Sequence, residues 1–146
     1  MNWDNYFMLI ATACAAKSKD PSTKVGSIIV GPDRNVLTTG FNGFPRGVLD
    51  TEERLNDRKT KLALIAHAER NAMDQAARHG ISLRGSTLYV TPIPPCAECA
   101  KSIIQSGIVR VVCPPIDPCH AWHDSTMLAF QMFEEAGIRV DEIKIA

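Results

Sequence analysis

The sequence has no apolar run approaching the roughly 18 residues that a helix needs to cross a bilayer. It has no surplus of either charge: 16 Lys+Arg stand against 16 Asp+Glu, a formal net charge of zero. A protein that draws its affinity from the phosphates of a long nucleic acid needs a basic face, so neither a long nucleic acid nor a membrane is an expected partner. The opening residues, Met1-Asn-Trp-Asp-Asn, carry no basic stretch and no cleavable apolar core. No secretory signal is read there, and a cytoplasmic location is expected. Repeats, low-complexity tracts and Pro/Gly/Ser-rich linkers are missing as well, and 146 residues fit a single domain over 1–146. The five cysteines (Cys14, Cys96, Cys99, Cys113, Cys119) are an odd number in a chain large enough to stand without staples. That argues against a disulfide framework and for buried thiols or metal ligands.

The chain does have the apolar content, 45%, for a buried core. Trp3, Tyr6, Phe7, Ile10 and Cys14 recur every three or four residues, the period of an amphipathic helix that must stop before Pro21. Cys14, on its apolar face, is expected in the core. Short β-branched runs at 25–30 and 36–41 flank the turn Gly31-Pro-Asp-Arg-Asn and predict a β-hairpin. The charged stretch 50–61 reads as a loop with a short helix. Three further helices, 67–79, 97–106 and 124–136, each run into a glycine (Gly80, Gly107, Gly137) that closes a last turn at little steric cost. His79 suits its place near a helix C-terminus, and Met127, Leu128, Met132 and Phe133 are expected in the core. Strand-like segments follow the glycines at 87–91, 109–112 and 139–145. The order α-β-β-α-β-α-β-α-β predicts an α/β fold, a central mixed sheet of about five strands covered by helices on both faces.

Two segments carry chemistry: His67-Ala-Glu69 and Pro95-Cys-Ala-Glu-Cys99. Alone, Cys96-x-x-Cys99 is open to reading as a redox pair, half of a structural zinc site or a coincidence, and His67-x-Glu69 is weaker still. Together they match the H-x-E … P-C-x-x-C signature of the zinc deaminases, in which one His and two Cys bind the metal and Glu stays free. Residues two apart do not share a helix face, but at the first turn His67 and Glu69 can aim at one point, and Cys96 and Cys99 share a face. The expected site therefore lies between two helix N-termini, whose partial positive charge favours thiolates and a carboxylate. Three protein ligands leave a position open for water, whose pKa zinc lowers from 15.7 to about 7. Glu69 is the group to shuttle its proton. A fourth ligand from Cys113, Cys119, His120 or His123 would make the site purely structural. Cys119-His120-Ala-Trp-His123 reads as a solvated loop with Trp122 packed on the last helix; a second metal site, and stacking of Trp122 on a base, are the alternatives.

These residues resemble the cytidine/deoxycytidylate deaminase superfamily, and most closely the deoxycytidylate (dCMP) deaminases. The likeness covers most of the chain. It rests on Asp20-Pro-Ser-Thr-Lys-Val-Gly26, Gly40-Phe-Asn-Gly-Phe-Pro-Arg-Gly47, His67-Ala-Glu-Arg-Asn-Ala72 and Pro95-Cys-Ala-Glu-Cys-Ala-Lys101, followed by Ile103-Ile104 and Gly107-Ile108. The resemblance implies a three-layer α/β/α cytidine-deaminase-like sandwich and one catalytic Zn2+ per chain. It implies a small pyrimidine nucleotide substrate, dCMP deaminated to dUMP and ammonia for thymidylate synthesis. It also implies a homo-oligomer, a hexamer among the sizes, with dCTP and dTTP as effectors. By position, Asn42 matches the asparagine that binds the sugar, although Asn-Gly also suits a turn with positive φ. Lys24 and Arg46, in segments expected to border the pocket, are candidates for the phosphate or else solvated surface charges. The proline-dense link 92–95 is expected to shape the lip over the base.

Overall fold

A computed structural model describes residues 1–144. The elements run α1 (Trp3–Ala15), β1 (Gly26–Val30), β2 (Val36–Phe41), α2 (Glu52–Asn56), α3 (Arg58–Leu64), α4 (Ala68–Arg78), β3 (Thr87–Thr91), α5 (Ala97–Gln105), β4 (Arg110–Cys113), α6 (His123–Glu135) and β5 (Arg139–Glu142). The order matches the sequence reading except at 50–61, where two short helices replace a loop with one. Thr51 caps the first, and Asp57, in extended conformation, separates them. Of the predicted strand 139–145, Ile145 lies outside the described residues. No helix among the described residues is long and apolar enough to cross a membrane.

The strands form one mixed sheet in the order β2-β1-β3-β4-β5. β1 is antiparallel to both neighbours, while β3, β4 and β5 run parallel. β2 and β3 therefore point the same way. From β2 onward the chain moves one way across the sheet, through α2–α4 to β3, α5 to β4 and α6 to β5, and right-handed crossovers in one direction place α4, α5 and α6 on one face. α4, α5 and α6 accordingly share a core with Ile29, Leu88, Val90 and Val111. The other face is left to α1, which buries Phe7, Met8 and Ala11 against Ile28, Val30, Tyr89 and Val112. Helices cover both faces as expected, three long ones against one. All five residues of β1 are buried, as a central strand requires.

The inward faces differ in detail from the sequence reading. α1 turns Phe7, Met8, Ala11 and Ala15 inward and leaves Trp3 and Tyr6 about half exposed, with Cys14 partly buried beside them. On α6 the inward positions are Thr126, Ala129 and Phe133, which share one face at helical spacing. Met127 and Leu128 fall on the opposite side and are exposed, and Met132 is half-buried. Gly80, Gly107 and Gly137 all have positive φ, as read. On the α1 face Arg110 joins the layers: Nη2 meets Asp4 Oδ2 and Nε meets Asp141 Oδ2, both at 2.7 Å.

Two glycines set how closely helices approach the sheet. A Cβ on Gly40 would stand 2.6 Å from the Ala72 backbone N and strike the Ala68 carbonyl, and one on Gly26 would strike the α1 backbone at Ala11 and Ala15. Backbone cannot rotate aside as a side chain can, so the helix must back away. Gly40→Ala is expected to lower the unfolding free energy by about 1–3 kcal/mol in urea titration, whereas Ala at Gly43, which meets only the Phe41 ring, should change it by well under half that.

Candidate metal centre

Because β2, β3 and β4 are parallel to one another, the chain leaves all three at the same edge of the sheet, where the starts of α4, α5 and α6 gather. His67 is the N-cap of α4 and Cys96 the N-cap of α5, both in extended conformation just outside their helices. An N-cap side chain turns back toward the second and third helical residues. Glu69 is the second residue of α4 and Cys99 the third of α5, so each pair converges. Convergence at the helix start was legible in the sequence; that both leading residues sit as caps, one step before the helix, is what the structure adds. A two-stranded bridge, Gly43 with Ala66, ties the loop after β2 to the residue before His67.

The His67, Cys96 and Cys99 donor atoms lie within 4.8 Å of one another. His67 Nδ1 is 3.4 Å from Cys96 Sγ and 3.5 Å from Cys99 Sγ. Glu69 stands outside the three-donor group, with Oε2 3.7 Å from Cys99 Sγ. It is only 3% exposed, and burial pushes its carboxyl up from 4.5 to about 7. Hydrogen bonds from the Cys99 thiol and His67 hold Cys96 well below the ordinary thiol range, while its neighbour Cys99 is pushed up. The hydrogen bond to Cys96 raises His67. One imidazole and two sulfurs, one already inclined to ionise, make a donor set that suits zinc with a coordination position to spare.

The other candidate ligands do not join this group. Cys113 is buried in the core beneath the sheet, its thiol pushed up to about 12 by burial. Cys119 is exposed, His120 Nδ1 accepts the Trp122 N–H at 3.0 Å, and His123 pairs with Asp124. Among the described residues no second set of three donors forms at 119–123. Of the two roles read for Trp122, the structure agrees with the one at the pocket: it is the N-cap of α6, its ring stands edge-on to His67 at 5.7 Å, and it lines the cleft.

The centre lies in a cleft whose empty space, open mouth included, is about 760 Å³. Ile93 and Pro94 of the proline-dense link form part of its wall, as expected, together with Thr23, Val25 and Asn42. The Asn42 side chain is already engaged. Its Oδ1 accepts the Val25 N–H at 2.8 Å, and its Nδ2 donates to Thr23 O at 2.9 Å and to Asp20 Oδ2 at 3.3 Å. Its φ is not positive, so the amide, not turn geometry, explains the residue. One acceptor lone pair of Oδ1 remains. Lys24 and Arg46 are exposed and not among the lining residues, Arg46 binding Gln75 instead. The lining cations are Arg58 and Lys61, missed because 50–61 read as a charged loop. Lys61 is 4% exposed, its Nζ 2.9 Å from Asp20 Oδ1.

Residues 1–114 match the family model described as the cytidine and deoxycytidylate deaminase zinc-binding region. The chain belongs to the cytidine and deoxycytidylate deaminase family. Among its relatives, mouse deoxycytidylate deaminase is 37% identical over 147 residues, covering 94% of this chain and 78% of that protein. A deaminase from the luxG 3′ region of Aliivibrio fischeri is 38% identical over 140 residues, covering 94% and 91%. The dCMP deaminase of cyanophage S-TIM5, solved with dCMP and dUMP, superposes with a TM-score of 0.76 at 26% identity, covering 94% of each chain. This deaminase-family chain thus carries a zinc-binding family's ligand pattern on that family's fold.

Burial of Glu69 has a measurable signature. Its folded pKa near 7 exceeds the ordinary 4.5, so the metal-free fold tolerates it best as the neutral acid. Its contribution is fully present below pH 4.5 and is lost as pH rises to 7. Metal-free wild type should therefore lose about 3 kcal/mol against Glu69→Gln between pH 4.5 and 7, and the gap should stay level above pH 7. Urea titrations of both proteins across that range check this, and a gap that does not change with pH contradicts it.

Proposed function

We propose that this chain catalyses hydrolytic deamination of dCMP to dUMP and ammonia, as a single catalytic domain over residues 1–146. The observation that carries the reading is the buried Glu69 carboxyl, set beside three metal donors but outside their group. A structural site has no use for such a carboxylate. Two of the relatives named above, the mouse and cyanophage enzymes, are deoxycytidylate deaminases, which supports a mononucleotide substrate.

His67, Cys96 and Cys99 hold the zinc. When bound, zinc supplies Lewis acidity that ionises water near neutral pH. Glu69 takes one proton from the attacking water and delivers it to ring N3 as the water oxygen adds to C4. It then takes the second proton and passes it to the amino group, so that the C4–N bond breaks and ammonia leaves. A carboxyl can accept and release protons in successive steps, the two tasks this reaction sets. Asn42 has one lone pair left for a sugar hydroxyl, and its other bonds hold the 20–25 loop at the pocket wall.

Arg58 is the cation for the 5′-phosphate. It lines the cleft, is exposed, and has no carboxylate partner among the described residues, whereas Lys61 is committed to Asp20. The two share a face of α3 at i,i+3 spacing. In this reading phosphate recognition falls to Arg58 and not to Lys24 or Arg46. Self-association is supported by Trp3, Tyr6 and Leu9, each close to half exposed on one side of α1. The enzyme is expected in the cytoplasm, supplying dUMP for thymidylate synthesis.

Glu69→Ala should still bind one zinc per chain while turnover falls at least a hundredfold; metal content with an ammonia-release assay tests both halves, and near-normal turnover removes Glu69 from this role. Arg58→Gln should raise KM for dCMP by about 10–100-fold with deoxycytidine kinetics unchanged, the size of a lost charge-assisted contact. Lys24→Gln and Arg46→Gln should leave the dCMP preference intact, and an unaltered preference in Arg58→Gln rules that residue out.

A further inference from the structure

The segment after β4 carries the chain back across the edge of the sheet and starts α6 beside the loop that bears Cys96. Two consecutive side chains in the first turns of α6 hold that loop on either side of the cysteine. Ser125 Oγ accepts the Ala97 N–H at 2.9 Å. Thr126 Oγ1 donates to the Pro95 carbonyl oxygen at 3.4 Å. The Pro95 carbonyl belongs to the peptide unit entering Cys96 and the Ala97 N–H to the unit leaving it. Each unit is planar, so both planes that set the direction of the Cys96 side chain are tied to α6.

The bond from Ser125 also answers a need at the start of α5. Cys96, the N-cap, makes no side-chain cap hydrogen bond of its own. Ser125 therefore satisfies the first orphan N–H of α5 from another helix. Thr126 is fully buried and Ser125 half-buried. Neither lines the cleft. Trp122, at the cap of the same helix, packs edge-on to His67. The start of α6 thus touches the supports of two of the three donors.

We propose that Ser125 and Thr126 are positioning residues for Cys96, so that the start of α6 sets how tightly the centre retains zinc. The inference rests on reading His67, Cys96 and Cys99 as the ligands. With both flanking peptides free to tilt, the Cys96 sulfur is no longer held for the metal, and part of the binding free energy goes to fixing it. Partners that orient a ligand from outside are worth about 10–100-fold in metal affinity.

The test is the zinc dissociation constant of the full chain at pH 7, by competition with a chromophoric chelator, beside thermal melting of the metal-free proteins. Ser125→Ala and Thr126→Val should each weaken zinc binding by roughly tenfold, and the pair by up to about 100-fold. Ser125→Thr, which keeps an acceptor oxygen, should restore wild-type affinity. Metal-free Ser125→Ala should melt within about 4 °C of wild type, the shift of a small local loss. If Thr126→Val does not fold, Thr126→Ser keeps the hydroxyl and should bind zinc as wild type does, and Ser125→Ala alone decides. Affinity within about twofold of wild type in Ser125→Ala overturns the proposal, as does a loss that Ser125→Thr leaves unrepaired. A wild-type chain that takes up no zinc overturns the ligand reading and this inference with it.

Discussion

The centre exists because β2, β3 and β4 run in one direction, which fixes where three helices begin. Each strand delivers the chain to the same edge of the sheet, and the crossover helices α4, α5 and α6 present their N-termini there. The first N–H groups of a helix lack internal partners, and their partial positive charge favours thiolate and carboxylate groups. Two such ends bring four side chains together from positions two and three residues apart. The ligand geometry is thus a property of helix starts, which is why Pro95 and the extended conformation of His67 matter as much as the donors. Burial then sets the chemistry: the surroundings that suit a metal also raise the Glu69 carboxyl toward neutrality.

A second constraint operates in the wall of the cleft. Asp20 accepts from Lys61 Nζ, from Asn42 Nδ2 and from the Ser22 and Thr23 N–H groups. One carboxylate therefore joins the loop before β1, the loop after β2 and α3. The Lys61–Asp20 pair is nearly dry, and such a pair fixes geometry more surely than it adds stability, since each ion gives up its hydration to be there. Breaking it by removing one partner leaves a buried charge alone, the costlier state.

Much of this was legible in the sequence, and the division has a physical cause. Element order follows from local periodicity and from the glycines that end helices, all of which the sequence carries. The donors and Glu69 were legible because each pair lies within one helix start and its geometry is local. The cleft wall is a different matter. Arg58 and Lys61 face the site only because α3 exists, and seven residues, three of them basic and none acidic, give too short a period to read. Trp122 and Ser125 reach the centre through a long return from β4, so their placement depends on tertiary packing. Asn42 was found by position, but its engaged amide could not be seen without its partners. Met127 and Leu128 read as core because they recur with Met132 and Phe133 at helical spacing, yet the helix turns Thr126 and Ala129 inward instead.

The uneven covering of the sheet divides the molecule by role. Every residue assigned to metal, proton transfer or phosphate belongs to the half built from the three crossover helices and the loops that open them. The α1 half, with its Asp4–Arg110–Asp141 links and its aromatic shoulder, carries none. Substitutions on that side can accumulate without moving a metal donor, Glu69 or Arg58, so that face and the chemistry are free to evolve on separate clocks.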